Sequence, residues 1–181
     1  MNPFHNRPDE WELYQPLHGK TMLELGGKIN NGLTYKAYFE SLGFEHTSVD
    51  WDGQHGALNR DLRKPLNLGQ FDMVCNVGTT EHVTEQEGVW RNIHEAAAIG
   101  SVYIGVTPYH DGLSWWWHGT WYPKEAFYEQ FAERNGWAIE RLYTNLEPPN
   151  TNLYCRMVKT DDRSFSLPDR ETIYFNRRRP R

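Results

Sequence analysis

Short apolar runs alternate along the chain with longer segments in which apolar side chains recur every three or four residues. A recurrence near 3.6 residues predicts an amphipathic helix, whereas a short apolar run rich in β-branched residues predicts a buried strand. The predicted strands cover residues 21–25, 46–51, 57–62, 71–77, 100–106, 137–143 and 153–159. The predicted helices cover residues 9–17, 33–42, 85–99 and 123–135.

The alternation of strands and helices predicts an α/β fold in which successive units build a mostly parallel sheet. The last two predicted strands differ, because only residues 144–152 separate them and this linker contains Pro148-Pro149. A parallel neighbour needs a crossover of about a dozen residues or more, usually with a helix. The sheet is therefore predicted to end in an antiparallel β-hairpin.

The composition fits one folded domain and gives no sign of a membrane or secretory segment. The chain has 181 residues, and 14% of them are aromatic, whereas disordered chains are poor in such groups. No apolar run reaches the ~18 residues that a bilayer span needs. Two cysteines, Cys75 and Cys155, are too few for a disulfide framework. We expect a cytoplasmic protein with no membrane partner, and its oligomeric state is left open.

Charge divides the chain into an acidic body and a basic C-terminal tail. The net charge is -5, yet from residue 159 onward Lys and Arg outnumber Asp and Glu by seven to four. We therefore predict one domain over residues 1–160 and a basic tail over residues 161–181. Because an acidic body binds nucleic acid poorly, a nucleic-acid partner is expected only through this tail. The simpler interpretation of the tail is a solubilising end.

The turn after the first predicted strand carries the strongest local signal for a ligand. Gly26 and Gly27 follow that strand, and glycine lets the backbone approach a ligand closely. Asp50 ends the second predicted strand, where an acidic side chain can accept hydrogen bonds from two ribose hydroxyls. Taken singly, these residues also fit a tight turn and a solvated loop. Taken together and in this order, they favour a cofactor that contains a nucleoside.

Several short segments resemble, in order and spacing, the motifs of class I S-adenosylmethionine-dependent methyltransferases. They are Glu24-Leu25-Gly26-Gly27, Ser48-Val49-Asp50, Asp61-Leu62, Phe71-Asp72-Met73-Val74 and Thr80-Glu81-His82-Val83. The similarity runs over residues 21–106, and the terminal hairpin matches the reversed last strand of that family. The resemblance implies a Rossmann-like, mostly parallel seven-stranded sheet flanked by helices. It also implies that S-adenosylmethionine binds at the carboxyl ends of the first strands.

The resemblance assigns parts of the cofactor to particular residues. The methionine part would contact Glu24, Gly26 and Gly27, the ribose Asp50, and the adenine Asp61 and Leu62. The residues beside the methionine and the transferred methyl group would be Asn76, Val77 and Gly78.

One departure from the family lies in the glycine-rich loop. Lys28 stands where the family's loop has a further glycine. Because Asn tolerates a left-handed backbone, one interpretation is that Asn30 or Asn31 replaces a glycine, and the other is that cofactor binding is weakened. The same substitutions break the G-x-G-x-x-G pattern of a dinucleotide site, so an NAD-dependent oxidoreductase is the less favoured enzyme class.

Candidate catalytic residues follow the fourth and fifth predicted strands. His82, Glu81 and His110 are the candidates, and His82 is the preferred base because imidazole titrates near neutral pH. The competing interpretation is that Glu81 and His82 orient the next helix. No metal is predicted, because the spacing of His110, Asp111 and His118 is weak evidence for a site.

The sequence predicts a methyltransferase that uses S-adenosylmethionine and acts on a small-molecule or sugar acceptor. The aromatic segment at residues 109–122 could wall an acceptor pocket, or it could fill the core or an interface. The alternative function is a catalytically inactive, methyltransferase-like binding module that acts through this Trp-rich loop or through the basic tail.

Overall fold

The computed structural model describes residues 2–30, 32–109, 118–145 and 151–175. The strands are β1 Thr21–Leu25, β2 Ile29–Asn30, β3 Leu33–Thr34, β4 Glu45–Asp50, β5 Leu58–Asn59, β6 Phe71–Val77, β7 Ala97–Pro108, β8 Trp121–Pro123, β9 Trp137–Asn145, β10 Asn152–Lys159 and β11 Ile173–Phe175. The helices are α1 Pro8–Leu13, α2 Tyr35–Ser41, α3 Gln86–Glu95 and α4 Glu125–Asn135, and single 3₁₀ turns cover Thr80–His82 and Arg170–Thr172.

Seven strands form the central sheet, in the order β5-β4-β1-β6-β7-β10-β9. The pairs from β5 to β7 are parallel, and β10 pairs antiparallel with both β7 and β9. This arrangement confirms the predicted mostly parallel, Rossmann-like sheet and its antiparallel terminal hairpin. Hydrophobic cores cover both faces of the sheet, one around Trp90 and Phe131 and the other around Tyr14 and Phe39.

The helix predicted over residues 9–17 ends at Leu13, and two other predicted helix boundaries are wrong because sheet pairing overrides the local pattern. The helix predicted over residues 85–99 ends at Glu95, and the backbone from Ala97 onward continues as β7 beside Phe71. Pro123 does not open α4 but pairs with Ile173 in a small second sheet. Small and apolar residues near a helix end suit either state, and the neighbouring strand decides between them.

The connection between β1 and α2 also differs from the prediction. A small hairpin, β2 with β3, intervenes before the helix, so the glycine turn does not lead directly into α2. The helix begins at Tyr35, and the Thr34 hydroxyl caps it by accepting a hydrogen bond from the Ala37 backbone N–H at 3.0 Å.

Residues 161–175 pack against the body of the protein. Strand β11 pairs with β8, Phe165 and Phe175 lie against the core around Trp90, and the Arg134 guanidinium pairs with Asp169 at 2.6 Å. The cluster Arg177, Arg178, Arg179 and Arg181 lies outside the described residues.

Within the described ranges, no helix combines the length and apolar character needed to cross a bilayer.

Trp90 anchors the larger core, so Trp90→Ala is expected to destabilise the fold strongly. Its ring is fully buried and contacts Trp121, Phe127 and Phe131. We expect the free energy of unfolding, measured by urea titration, to fall by about 3–5 kcal/mol. The matched control Trp51→Ala removes a side chain that is 81% exposed and should change it by less than about 0.5 kcal/mol. Equal effects of the two substitutions would contradict this account of the core.

Candidate cofactor and acceptor site

The glycine turn after β1 holds the carboxylate that ends β4. The Gly27 backbone N–H donates to Asp50 Oδ2 at 2.8 Å, and the Gly26 N–H donates to the Val49 carbonyl at 2.7 Å. Gly26 has φ 92°, and a Cβ there would lie 2.1 Å from Thr79 Oγ1, so only glycine fits. The turn therefore keeps Asp50 at the sheet edge, where the sequence places it.

A cleft of about 510 Å³ opens beside this carboxylate. Its lining residues include Asp50, Trp51, Asp61, Leu62, Thr79 and His82. The cleft lies where a nucleoside is expected from the sequence, and it brings the predicted ribose and adenine residues together. A larger cavity of about 610 Å³ lies between α3 and the C-terminal segment, but no predicted site residue lines it. We therefore place the candidate site at the strand ends.

Trp51 lies at the cleft, although the sequence pattern did not indicate it as a candidate site residue. Its ring lines the cleft directly after Asp50 and is 81% exposed, which is unusual for so large an apolar side chain. A flat aromatic surface at this position suits stacking against a planar heterocycle. The signal available in the sequence was an aromatic residue adjoining the acidic end of a strand.

Asp61 and Leu62 also line the cleft. The Asp61 carboxylate accepts hydrogen bonds from Arg63 Nε at 2.9 Å and Nη2 at 2.8 Å, and these bonds lower the pKa of Asp61 to about 2. Leu62 is buried, and its carbonyl accepts from the Asn92 side-chain amide at 2.8 Å. Both residues border the cleft, but the Asp61 carboxylate is already engaged.

Glu24 is a buried carboxyl group at the end of β1. Its Oε1 accepts from the Lys28 backbone N–H at 3.1 Å, and its Oε2 lies 3.6 Å from His46 Nε2. Burial raises the pKa of Glu24 to about 8 and lowers the pKa of His46 to about 4. Between these values both groups are neutral, so their contact is not an ion pair.

The Lys28 side chain enters the region that the resemblance assigns to the methionine of the cofactor. A Cβ built on Gly78 would lie 3.3 Å from Lys28 Nζ and 3.5 Å from Glu81 Oε1. Burial lowers the pKa of Lys28, with a further lowering by Arg7, against opposing contributions from Glu10, Glu81 and Glu24. The residue that departs from the family's loop therefore lies beside Gly78, which the resemblance assigns to the methionine and the transferred methyl group.

Asn76 and Val77, at the end of β6, are both buried, and neither lines the cleft beside Asp50. The Asn76 side chain donates to Thr80 Oγ1 at 3.0 Å and accepts from the Thr80 backbone N–H at 3.1 Å. Asn76 therefore holds the turn that follows β6, and Gly78 in that turn lies close to the Lys28 ammonium.

Glu81, His82 and His118 converge on one point. Glu81 is fully buried, and its Oε1 lies 3.7 Å from His82 Nε2 and 3.6 Å from His118 Nε2. The two imidazole rings meet edge to face, with centroids 4.8 Å apart. The sequence predicted Glu81 and His82 but not His118 as catalytic, and the predicted His110 lies outside the described residues.

Backbone contacts bring His118 to this turn from far along the chain. The Thr120 N–H donates to the Glu81 carbonyl at 2.8 Å, and a Cβ on Gly119 would lie 2.9 Å from that same carbonyl oxygen. This close approach requires glycine at position 119. The sequence offered no sign of the contact, because it depends on how the segment after β7 returns to the sheet edge.

Comparisons with known proteins agree on the architecture. No protein-family model and no curated protein sequence matches the chain. Solved structures do. The Burkholderia thailandensis 1,6-didemethyltoxoflavin-N1-methyltransferase, with bound 1,6-didemethyltoxoflavin and S-adenosylhomocysteine, has a TM-score of 0.63 at 15% identity and covers 86% of this chain and 78% of its own.

Two further structures extend this similarity. The N-methyltransferase NodS from Bradyrhizobium japonicum, in complex with S-adenosylhomocysteine, has a TM-score of 0.64 at 14% identity, over 88% of this chain and 89% of its own. A TehB-like SAM-dependent methyltransferase from Corynebacterium glutamicum has a TM-score of 0.57 at 15% identity, over 83% of this chain and 87% of its own. The chain has the fold of class I S-adenosylmethionine-dependent methyltransferases, which is the fold that its sequence motifs predicted.

The raised pKa of Glu24 predicts a pH-dependent loss of stability. The ordinary pKa of this carboxyl group is 4.5, and in the folded protein it is about 8. Between these values the unfolded state ionises while the folded state retains the proton, so the stability contributed by Glu24 is lost as pH rises. Glu24→Gln keeps the shape without the ionisation. We expect it to stabilise the fold by about 1–3 kcal/mol at pH 8 relative to wild type, and by less at pH 5.

Urea titrations at pH 5, 6.5 and 8 measure this difference. Glu45→Gln is the control, because Glu45 is exposed on the neighbouring strand. A difference between Glu24→Gln and wild type that stays constant with pH would show that the carboxyl group titrates normally.

Proposed function

We propose that this protein is an S-adenosylmethionine-dependent methyltransferase that acts on a small-molecule acceptor. The observation that carries the proposal is the cleft of about 510 Å³ whose wall includes Asp50, with its carboxylate oriented by Gly27 at the edge of a methyltransferase-like sheet. Two of the similar structures contain S-adenosylhomocysteine, and one of these also contains the small molecule 1,6-didemethyltoxoflavin.

The residues of the site fit the parts of this cofactor. Asp50 would accept hydrogen bonds from the ribose hydroxyls, and Trp51 would stack against the adenine in the cleft that Leu62 also lines. Lys28 would pair with the methionine carboxylate, which supplies the anion that its ammonium group lacks in the described contacts. Glu24, which is neutral at pH 7, would lie close to the cationic part of the cofactor.

The chemistry needs positioning and a proton acceptor. When bound, S-adenosylmethionine supplies an electrophilic methyl group on its sulfonium sulfur. The protein must hold the acceptor in line with that group and remove a proton from a hydroxyl or ammonium acceptor. His82 borders the cleft, and its side chain is 42% exposed, so its imidazole can reach an acceptor. Catalysis by His82 and by Glu81 stays a prediction, as does a sugar acceptor.

One observation favours the second candidate, an inactive binding module. The Lys28 side chain occupies space beside Gly78 where the family's loop has only glycine backbone. A lysine that blocked the methionine part would abolish cofactor binding and leave the fold intact. The Trp-rich residues at 110–117 and the basic residues at 176–181, through which such a module would act, lie outside the described residues. A cytoplasmic location remains a prediction, and the oligomeric state stays open.

Calorimetric titration with S-adenosylhomocysteine tests the cofactor site. We expect wild type to bind it and Asp50→Asn, which keeps an acceptor for Gly27, to bind about 10–100-fold more weakly, because hydrogen bonds to a charged group contribute about 1.5–3 kcal/mol. Asp52→Asn is the matched control two residues away and should bind like wild type. Absence of binding by wild type at millimolar ligand would favour the inactive module, whereas unchanged affinity in Asp50→Asn would place the ribose elsewhere.

The proposed stacking by Trp51 has its own test. We expect Trp51→Ala to weaken binding of S-adenosylhomocysteine and of adenosine by about 2–10-fold, since aromatic pairs contribute about 0.5–1.5 kcal/mol beyond area burial. Trp51→Phe keeps a stacking ring and should retain most of the affinity. An alanine variant with wild-type affinity for both ligands would remove Trp51 from the adenine site.

A further inference from the structure

Glu81 presents an unusual electrostatic problem. Its side chain is fully buried, and within the described part of the chain neither carboxylate oxygen accepts a hydrogen bond. The Lys28 ammonium lies close to Gly78, as Glu81 Oε1 does, but within the described residues Lys28 and Glu81 form no ion pair. A fully buried carboxylate that accepts no hydrogen bond is costly, and the nearest cationic partners that it has are the two imidazoles of His82 and His118 at 3.7 Å and 3.6 Å. This arrangement suits a bound cation that all three side chains share.

We propose that Glu81, His82 and His118 bind a divalent transition-metal ion of the zinc class. One oxygen and two imidazole nitrogens from these residues lie within 4.8 Å of one another. Around a tetrahedral metal, ligands at about 2.1 Å would be ~3.4 Å apart. The distances from Glu81 Oε1 to the two Nε2 atoms, 3.7 Å and 3.6 Å, are close to that value. One nitrogen of each imidazole lies within 4.8 Å of the other, so both rings would have to turn toward the ion to bind it together.

The donor set identifies the kind of ion. Imidazole nitrogen suits zinc, iron, nickel and copper, whereas magnesium and calcium prefer sites made entirely of oxygen. Three protein ligands leave at least one coordination position for another molecule, as in catalytic rather than structural zinc sites. His82 lines the cleft that the proposed function assigns to the cofactor and is 42% exposed, so an open coordination position there would be accessible from the cleft.

This inference changes the role of His82. Coordination through Nε2 would take up the nitrogen that the sequence analysis assigns to proton transfer, and the metal would instead bind and polarise an oxygen atom of the acceptor. It also explains why His118 lies beside Glu81 and His82 although the sequence spacing predicted no metal. Metal binding does not depend on S-adenosylmethionine, so it can be tested apart from the proposed function.

The test uses the full, untagged chain after removal of metals with EDTA and exchange into chelator-free buffer. We expect calorimetric titration with Zn²⁺ to give one site per chain with a dissociation constant in the micromolar range or below, and titration with Mg²⁺ to give no comparable binding. Co²⁺ should produce visible absorption bands of a low-symmetry, four- or five-coordinate site. No Zn²⁺ binding up to millimolar concentration would overturn the proposal.

Variants distinguish this site from incidental binding by surface histidines. We expect Glu81→Gln and His118→Asn each to weaken Zn²⁺ binding by at least about tenfold, since loss of even second-shell partners costs about 10–100-fold. His18→Asn, an exposed histidine outside the cluster, should bind like wild type. If Glu81→Gln binds Zn²⁺ with unchanged affinity, the ion binds only to a pair of surface histidines, and the proposal is overturned.

Thermal unfolding of each variant verifies that it folds. Titration of the same metal-free samples with S-adenosylhomocysteine reports the cofactor site separately. A chain that binds Zn²⁺ but no S-adenosylhomocysteine supports the metal site and refutes the proposed function. A chain that binds S-adenosylhomocysteine but no Zn²⁺ refutes the metal site and leaves the proposed function supported.

Discussion

Strand β1 lies between β4 and β6, and its parallel pairing with both strands brings their carboxyl ends to one edge of the sheet. Glu24, Asp50 and Gly78 reach that edge from three different strands and their following turns. The hydrogen bond from Gly27 to Asp50 depends directly on this pairing, because it joins the turn after β1 to the end of β4. Every part of the proposed cofactor site rests on the same alignment.

Several ionisable groups near the proposed site are buried, where water cannot solvate their charges. Glu24 and Glu81 are buried carboxyl groups, and Lys28 lies between the regions that they occupy. Buried ionisable groups are frequent at functional sites, because a structure formed only for stability would leave such groups in water. A cationic cofactor beside Glu24 and a metal ion beside Glu81 would each supply charge that the chain itself lacks there.

Local patterns predicted most of the fold and part of the site. Strands β1 and β6 were predicted with their observed bounds, and the terminal hairpin followed from a linker too short for a crossover. The segment near Ala97 was misassigned, because its small apolar residues suit a helix as well as a strand. Trp51 was missed because its exposure beside a cleft is a property of the fold and not of its neighbours in sequence.

The sequence by itself determined the order of elements, the parallel sheet and the position of Asp50 after its strand. These features follow from periodicity and connection length, which act between residues close together in the chain. The tertiary structure alone decided that His118 meets Glu81 and that Lys28 extends toward Gly78. Such contacts join residues tens of positions apart, and they form only when backbone packing, here at Gly119 and Thr120, brings the segments together.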